Sequence, residues 1–116
     1  MNMILTVQEN TPGNELEGED VENWADLRDE WFDLRPLSGR EYQQAQQIQS
    51  NVTHNATSIY FSGANSRLRL IRREIVESED PEVETQPQIV RTFNVESVVN
   101  VDERNRELLW RLEEAV

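Results

Sequence analysis

The apolar residues of this chain fall in short runs that alternate with polar ones, a period of two that suits strands. Arg67-Leu68-Arg69-Leu70 alternates cleanly, and Met3-Ile4-Leu5-Thr6-Val7 suits a first strand. From His54 to Phe61 the alternation places Asn55, Thr57, Ile59 and Phe61 on one side. Phe93, Val95, Val99 and Val101 share a parity, with Val98 read as the mark of a bulge. A polar reversal from Asn100 to Arg106 then leads into Leu108-Leu109-Trp110-Arg111-Leu112. Composition permits a helix there; hairpin pairing with residues 91–99 is the expectation. Such a set of strands predicts a mainly β fold, a small antiparallel β-barrel or sandwich.

Two segments depart from that period. In residues 38–49, Ser38 can cap a helix while Glu41, three residues on, reaches back to the cap nitrogen. Tyr42, Ala45 and Ile48 then share one face, surrounded by Gln43, Gln44, Gln46, Gln47 and Gln49. A stripe so narrow predicts one short α-helix lying on a sheet or against a neighbouring subunit. Residues 21–37 are ambiguous. Trp24, Leu27, Trp31 and Leu34 have helical spacing, whereas the Trp31-Phe32 pair and the stop at Pro36 also allow a strand ending there.

At 116 residues, 36% of them hydrophobic, the chain makes a single domain over residues 1–116 with a small core. The net charge is −12, from 23 acidic and 11 basic residues. All the basic residues are Arg, whose planar fork suits carboxylate pairing at interfaces. So acidic a chain should not grip DNA by neutralising phosphates. The acids concentrate in two stretches, 9–20 and 76–88, both read as flexible acidic loops on account of their Pro and Gly residues. With no cysteine, neither a disulfide framework nor a thiolate metal site exists. No apolar run is long enough for a membrane span, and nothing at the N-terminus reads as a secretory signal, so a cytoplasmic origin is expected.

Catalytic chemistry finds little to work with. His54 is the only histidine, so any Ser-His-Asp arrangement would need it, and no Gly-x-Ser-x-Gly elbow is present. A hydrogen-bonded or surface histidine is the expectation. Glu77-Ser78-Glu79-Asp80 lacks the spacing of a calcium loop, and the four glycines form no phosphate cradle. No catalytic residue, metal ligand or cofactor is therefore assigned.

The run Leu34-Arg35-Pro36-Leu37-Ser38-Gly39-Arg40-Glu41-Tyr42, then Ala45-Gln46-Gln47, and later Asn100 to Leu108, resembles the tailed-phage head–tail joining family. These are small head-closure, stopper or adaptor proteins. The resemblance spans roughly residues 24–114 and favours a strand over 29–37, leaving 21–30 open. It implies a non-enzymatic structural protein of the virion neck, assembled in the host cytoplasm into a ring of about twelve subunits. The ring would lie beneath the portal, close the DNA-filled head and offer a docking surface to the tail. DNA would pass nearby without specific binding, and no membrane would be involved. The residues it implies at subunit or partner contacts are Arg40, Glu41, Tyr42 and Gln46 on the helix, and Asp102, Glu103, Arg104 and Arg106 on the turn. Glu77, Glu79, Asp80, Glu82 and Glu84 would form an acidic loop lining the channel. The alternatives are another neck or tail part, such as a tail-terminator ring, and more remotely an acidic DNA mimic.

Overall fold

The structure, a computed structural model, describes residues 1–11, 23–75 and 86–115. Six strands account for most of it: β1 (Asn2–Asn10), β2 (Trp24–Pro36), β3 (His54–Ile59), β4 (Leu68–Ile75), β5 (Pro87–Asn100) and β6 (Glu107–Glu114). One helix, α1 (Gly39–Gln47), lies between β2 and β3, and a 3-10 turn over Val101–Glu103 precedes β6. Every strand pairing is antiparallel, and the order β1-β2-β3-β6-β5-β4 closes through a ladder between β1 and β4. Closure removes the exposed edges that an open sheet of this size would present.

Alternation fills the interior. Leu5 and Val7 from β1, Phe32 and Leu34 from β2, Leu68 and Leu70 from β4, Phe93 and Val95 from β5, and Leu108, Trp110 and Leu112 from β6 are buried together. Trp110 is the hub. Its ring meets Phe32 edge-on at 5.6 Å and Phe61 at 5.8 Å, and its Nε1 donates to the buried Ser58 Oγ at 2.9 Å. That last bond satisfies a donor whose burial would otherwise cost about 1–3 kcal/mol.

Three bulges bend the wall enough to close so small a barrel. Opposite β1, the register skips Leu27, so Val7 faces Arg28 and Gln8 faces Asp26. Between β4 and β5 it skips Val90, and between β5 and β6 it skips Glu96. The last of these corrects the expected parity of β5. Phe93 and Val95 point inward, but beyond Glu96 it is Val98 that packs on the core while Val99 is exposed. Val101 has left the strand for the 3-10 turn.

β3 keeps the expected alternation, with Asn55, Thr57 and Ile59 together on the outer side, and only Phe61 departs from it. Ala56 and Ser58 are its buried residues, Ile59 is exposed, and Phe61 reaches the core from beyond the strand end. Ala56 sits directly opposite Trp110, so the inward side of β3 must be small to leave room for the indole.

The ambiguous 21–37 region resolves as a strand from Trp24 onward; residues 21 and 22 lie outside the described residues. Glu9 and Asn10 belong to β1 rather than to a loop, and residues 12–20 lie outside the described residues. Likewise Pro87 and Gln88 open β5, while 76–85 lie outside. Proline is tolerated at the first position of a strand, where no ladder donor is lost.

Antiparallel registers sort the connections into two ends. At one end are the N-terminus, α1 with its flanks, the outer ends of β4 and β5, and the end of β6. At the other are Asn10 and Trp24, the 60–67 connection and the 101–106 turn. We call these the helix end and the turn end.

Candidate functional site

The helix end is built on a local signal. Ser38 Oγ accepts from the Glu41 backbone N–H at 3.2 Å, and the Glu41 carboxylate accepts from the Ser38 N–H at 3.4 Å, the expected capping box. The connection is pinned to the barrel at its base, where the Leu37 N–H donates to the Thr53 carbonyl at 3.0 Å. Yet no residue of α1 is buried. Tyr42 and the capping Ile48, expected to face a sheet or a neighbouring subunit, are not covered by the barrel's own sheet. Gln46 Nε2 donates to the Tyr42 hydroxyl at 2.9 Å, so these two side chains are held together one turn apart. Arg40 makes no ion pair among the described residues.

Beneath the helix lies a polar cluster. Arg91 forks onto Glu114 with contacts of 2.6 and 3.2 Å, and its guanidinium covers the Phe93 ring. This pairing holds the Glu114 carboxyl below its usual range. His54 packs edge-on against Phe93 at 5.4 Å, with Nδ1 2.8 Å from Thr53 Oγ1 and Nε2 3.5 Å from Arg91 Nη2. Partial burial pushes its pKa down, with the nearby Arg91 charge acting the same way and Glu114 opposing them. The Thr53 hydroxyl also accepts from the Glu114 N–H. A hydroxyl, an imidazole and a carboxylate thus lie close, but not as a catalytic triad. The far nitrogen of His54 faces a cation where an orienting carboxylate would be needed, and Arg91 already holds that carboxylate. His54 is the hydrogen-bonded structural histidine expected of it.

The turn end is built differently. Asp102, Glu103 and Asn105 all have positive φ, at 55°, 52° and 55°. Such backbone costs a non-glycine residue about 1–2 kcal/mol each. Asn100 braces the turn, donating to Asn105 Oδ1 at 2.8 Å and accepting from the Asn105 N–H at 3.2 Å. Asp102, Glu103, Arg104 and Arg106 are all exposed, and none makes an ion pair among the described residues. Arg67, from the neighbouring connection, is also without one. The Tyr60 N–H donates to the Arg106 carbonyl at 3.0 Å, tying the two connections together.

The eight expected contact residues therefore divide into two groups of four at opposite ends of the barrel; they do not converge on one site. The five acids expected to line a channel, Glu77, Glu79, Asp80, Glu82 and Glu84, lie outside the described residues. Among the described residues no group of His, Asp and Glu side chains is arranged to hold a metal ion, and no helix is long and apolar enough to cross a membrane.

The outer wall holds features not expected from sequence. Trp31 is exposed in the middle of β2. Once Phe32 and Leu34 are known to point inward, strand parity alone sends Trp31 outward. On the outside of β1, Gln8 Nε2 donates to Asp26 Oδ1 at 2.7 Å, and Arg69 Nε donates to Gln8 Oε1 at 2.7 Å. Arg73 forks onto the same Asp26 at 2.8 and 3.0 Å, and this pairing, with Gln8, holds the Asp26 carboxyl below its usual range.

The family model described as phage head completion protein matches residues 1–115. Among solved structures, the solution structure of protein SF1141 from Shigella flexneri 2a is similar, with a TM-score of 0.57 and 18% identity. The match covers 94% of this chain and 89% of that one. Identity that low speaks for the fold alone. Among curated proteins, none matches the chain.

Proposed function

Since the chain belongs to the phage head completion protein family, whose members serve as structural virion proteins in closing the head, we propose how this barrel does so. It assembles as a ring beneath the portal, seals the DNA channel and presents a surface to the tail. The observation that carries this reading is the separation of two unlike contact surfaces to opposite ends of one closed barrel. A subunit with a capped, solvent-exposed helix at one end and a braced, charged turn at the other can touch two different neighbours at once.

Each end suits contact more than chemistry. Arg40 at the helix end, and Arg67, Arg104 and Arg106 at the turn end, offer guanidinium forks without an ion pair among the described residues. Carboxylates on portal or tail proteins would complete them in bidentate pairs. Asp102 and Glu103 set the turn's backbone, so its two arginines are preorganised and less entropy is lost on docking. Tyr42 and Gln46, already bonded to each other, form a semi-rigid patch beside Arg40 and Glu41.

The acids at 77–84 line the bore on this reading, where their charge keeps phosphates from adhering as DNA passes. Many copies of a chain with net charge −12 also repel one another. Added salt screens that repulsion, so it should promote self-association of the purified protein; assembly weakened by salt would count against the charge argument.

The direct test is electron microscopy of particles made without this protein. Heads that leak DNA and carry no tails are expected, and intact sealed heads would refute the proposal. Co-purification with free tails instead of filled heads would favour a tail-terminator ring.

A further inference from the structure

We propose that two exposed apolar patches on opposite walls of the barrel join neighbouring copies of this chain, a groove around Trp31 on one copy receiving the β4–β5 ribbon of the next. This deepens the ring reading and rests on it.

The first patch lies on the β1–β2–β3 wall. Trp31 is 61% exposed, Ile4 of β1 sits directly across from it in the ladder, and Ile59 of β3 is 58% exposed. Phe32 pairs with Ser58, so the register carries Trp31 alongside Ile59. A shallow groove runs between them, rimmed by Asn2, Asp33, Thr57 and Glu107. A tryptophan this open, backed by two isoleucines, is the kind of apolar anchor that marks an interface.

The second patch follows from how the barrel comes apart at the helix end. β1 pairs with β4 only from Leu68 to Ile71, and β6 pairs with β5 only from Phe93 onward. Between those limits Arg72–Ile75 and Pro87–Arg91 pair with each other alone, as a two-stranded ribbon. Ile75 lies opposite Pro87 and is 68% exposed; Ile89 lies opposite Arg73 and is 46% exposed. An isolated ribbon of two strands is marginal in water and gains from a third surface.

The strand order settles the relation between the patches. Around a closed cycle of β1-β2-β3-β6-β5-β4, the pair β2 and β3 stands diametrically across from β5 and β4. Within one copy the ribbon touches the near side of this wall, Arg72 donating to the Ile4 carbonyl at 3.0 Å and Arg73 pairing with Asp26, but it does not enter the groove between Trp31 and Ile59. The ribbon of a second copy can, and that copy's free patches then repeat the contact, the heterologous arrangement that closes into a ring. Charge agrees with this pairing. The groove rim carries Asp33 and Glu107, while the described ribbon carries Arg72, Arg73 and Arg91 against one acid, Glu74. The two surfaces therefore differ in net sign, even though Arg73 pairs with Asp26, Arg72 with Glu74 and Asp33 with Arg35 in their own chain.

Because the chain has no cysteine, disulfide cross-linking tests the contact directly. Full-length Ile59→Cys, Ile89→Cys and the double variant are added to heads assembled without this protein, then oxidised and run on non-reducing gels. The two single variants mixed should give a cross-linked dimer that neither gives alone, and the double variant a ladder of multimers. Dimers from either single variant alone, or no ladder although many copies are bound per head, would overturn the interface and leave the ring standing. One bound copy per head would overturn the ring itself. In parallel, Trp31→Ser should lose head-bound protein at least tenfold while its melting temperature stays that of the parent; undiminished binding would also overturn the proposal.

Discussion

Strand β6 and helix α1 are both short and both read from a local pattern, yet they spend their apolar side chains in opposite ways. β6 puts Leu108, Trp110 and Leu112 into the core and leaves Glu107 and Arg111 outside. α1 has a complete capping box and buries nothing. The barrel is thus held by packing that the chain supplies itself, whereas the helix is shaped by its cap and tethered at its base. A helix of nine residues is marginal without tertiary support. Keeping one that exposes Tyr42 and ends at an exposed Ile48 makes physical sense where another protein covers it. On the proposed reading, stability and contact are divided between regions.

That division should show in mutants. Trp110→Ala removes the hub of the barrel and should cost about 3–5 kcal/mol, read as a fall in the denaturation midpoint. A loss under about 1 kcal/mol would mean that the core is not organised as described. Ser58→Ala leaves the indole N–H buried without an acceptor and should cost about 1–3 kcal/mol; Ser58→Thr, if it keeps the bond, should recover part of that.

Ser38→Ala should weaken the helix locally by about 0.5–2 kcal/mol, seen as faster amide exchange over residues 39–47. The barrel's midpoint should stay within about 0.5 kcal/mol of the parent. A large global loss there would erase the distinction between the two regions.

Acid gives the smallest effect. The Asp26 carboxyl is held low chiefly by the Arg73 hydrogen bond, and Glu114 by Arg91. Both have folded-state values below their unfolded ones, so their stabilisation is present above the ordinary carboxylate range and lost as pH falls through the folded values. Half-buried His54, also lowered, disfavours its own protonation and adds in the same direction. The pairs are solvent-screened, so each contributes about 1 kcal/mol or less. Asp26→Asn and Glu114→Gln should each flatten the acid limb of stability against pH, and an unaltered limb would show that these pairs contribute nothing.

Much of the fold was legible because the inward residues of β1, β4 and β6 alternate without interruption. The capping box was legible because it is a chemical pattern four residues long. What escaped were the places where one residue resets the parity. Glu96 carries no mark that distinguishes a bulged glutamate from any other, yet past it Val98 and Val99 exchange sides. Leu27 does the same in β2 and lent that strand its helix-like spacing. In β3 the alternation grouped Asn55, Thr57 and Ile59 on one side without saying which side faces in; the bulk of Trp110 reserves the inward side for Ala56 and Ser58. The residues expected at contacts could be named from sequence one at a time; their separation to opposite ends could not, because it depends on the order of strands around the closed wall.

Titrating purified protein into the packaging of heads assembled without it, with DNA retained and protected from nuclease as the readout, tests the central claim most directly. A structural closure piece should restore protection in proportion to the protein bound, saturating at a fixed number of copies per head. Sealing by far less than one complement per head, with the protein recovered free and active on further heads, would contradict it.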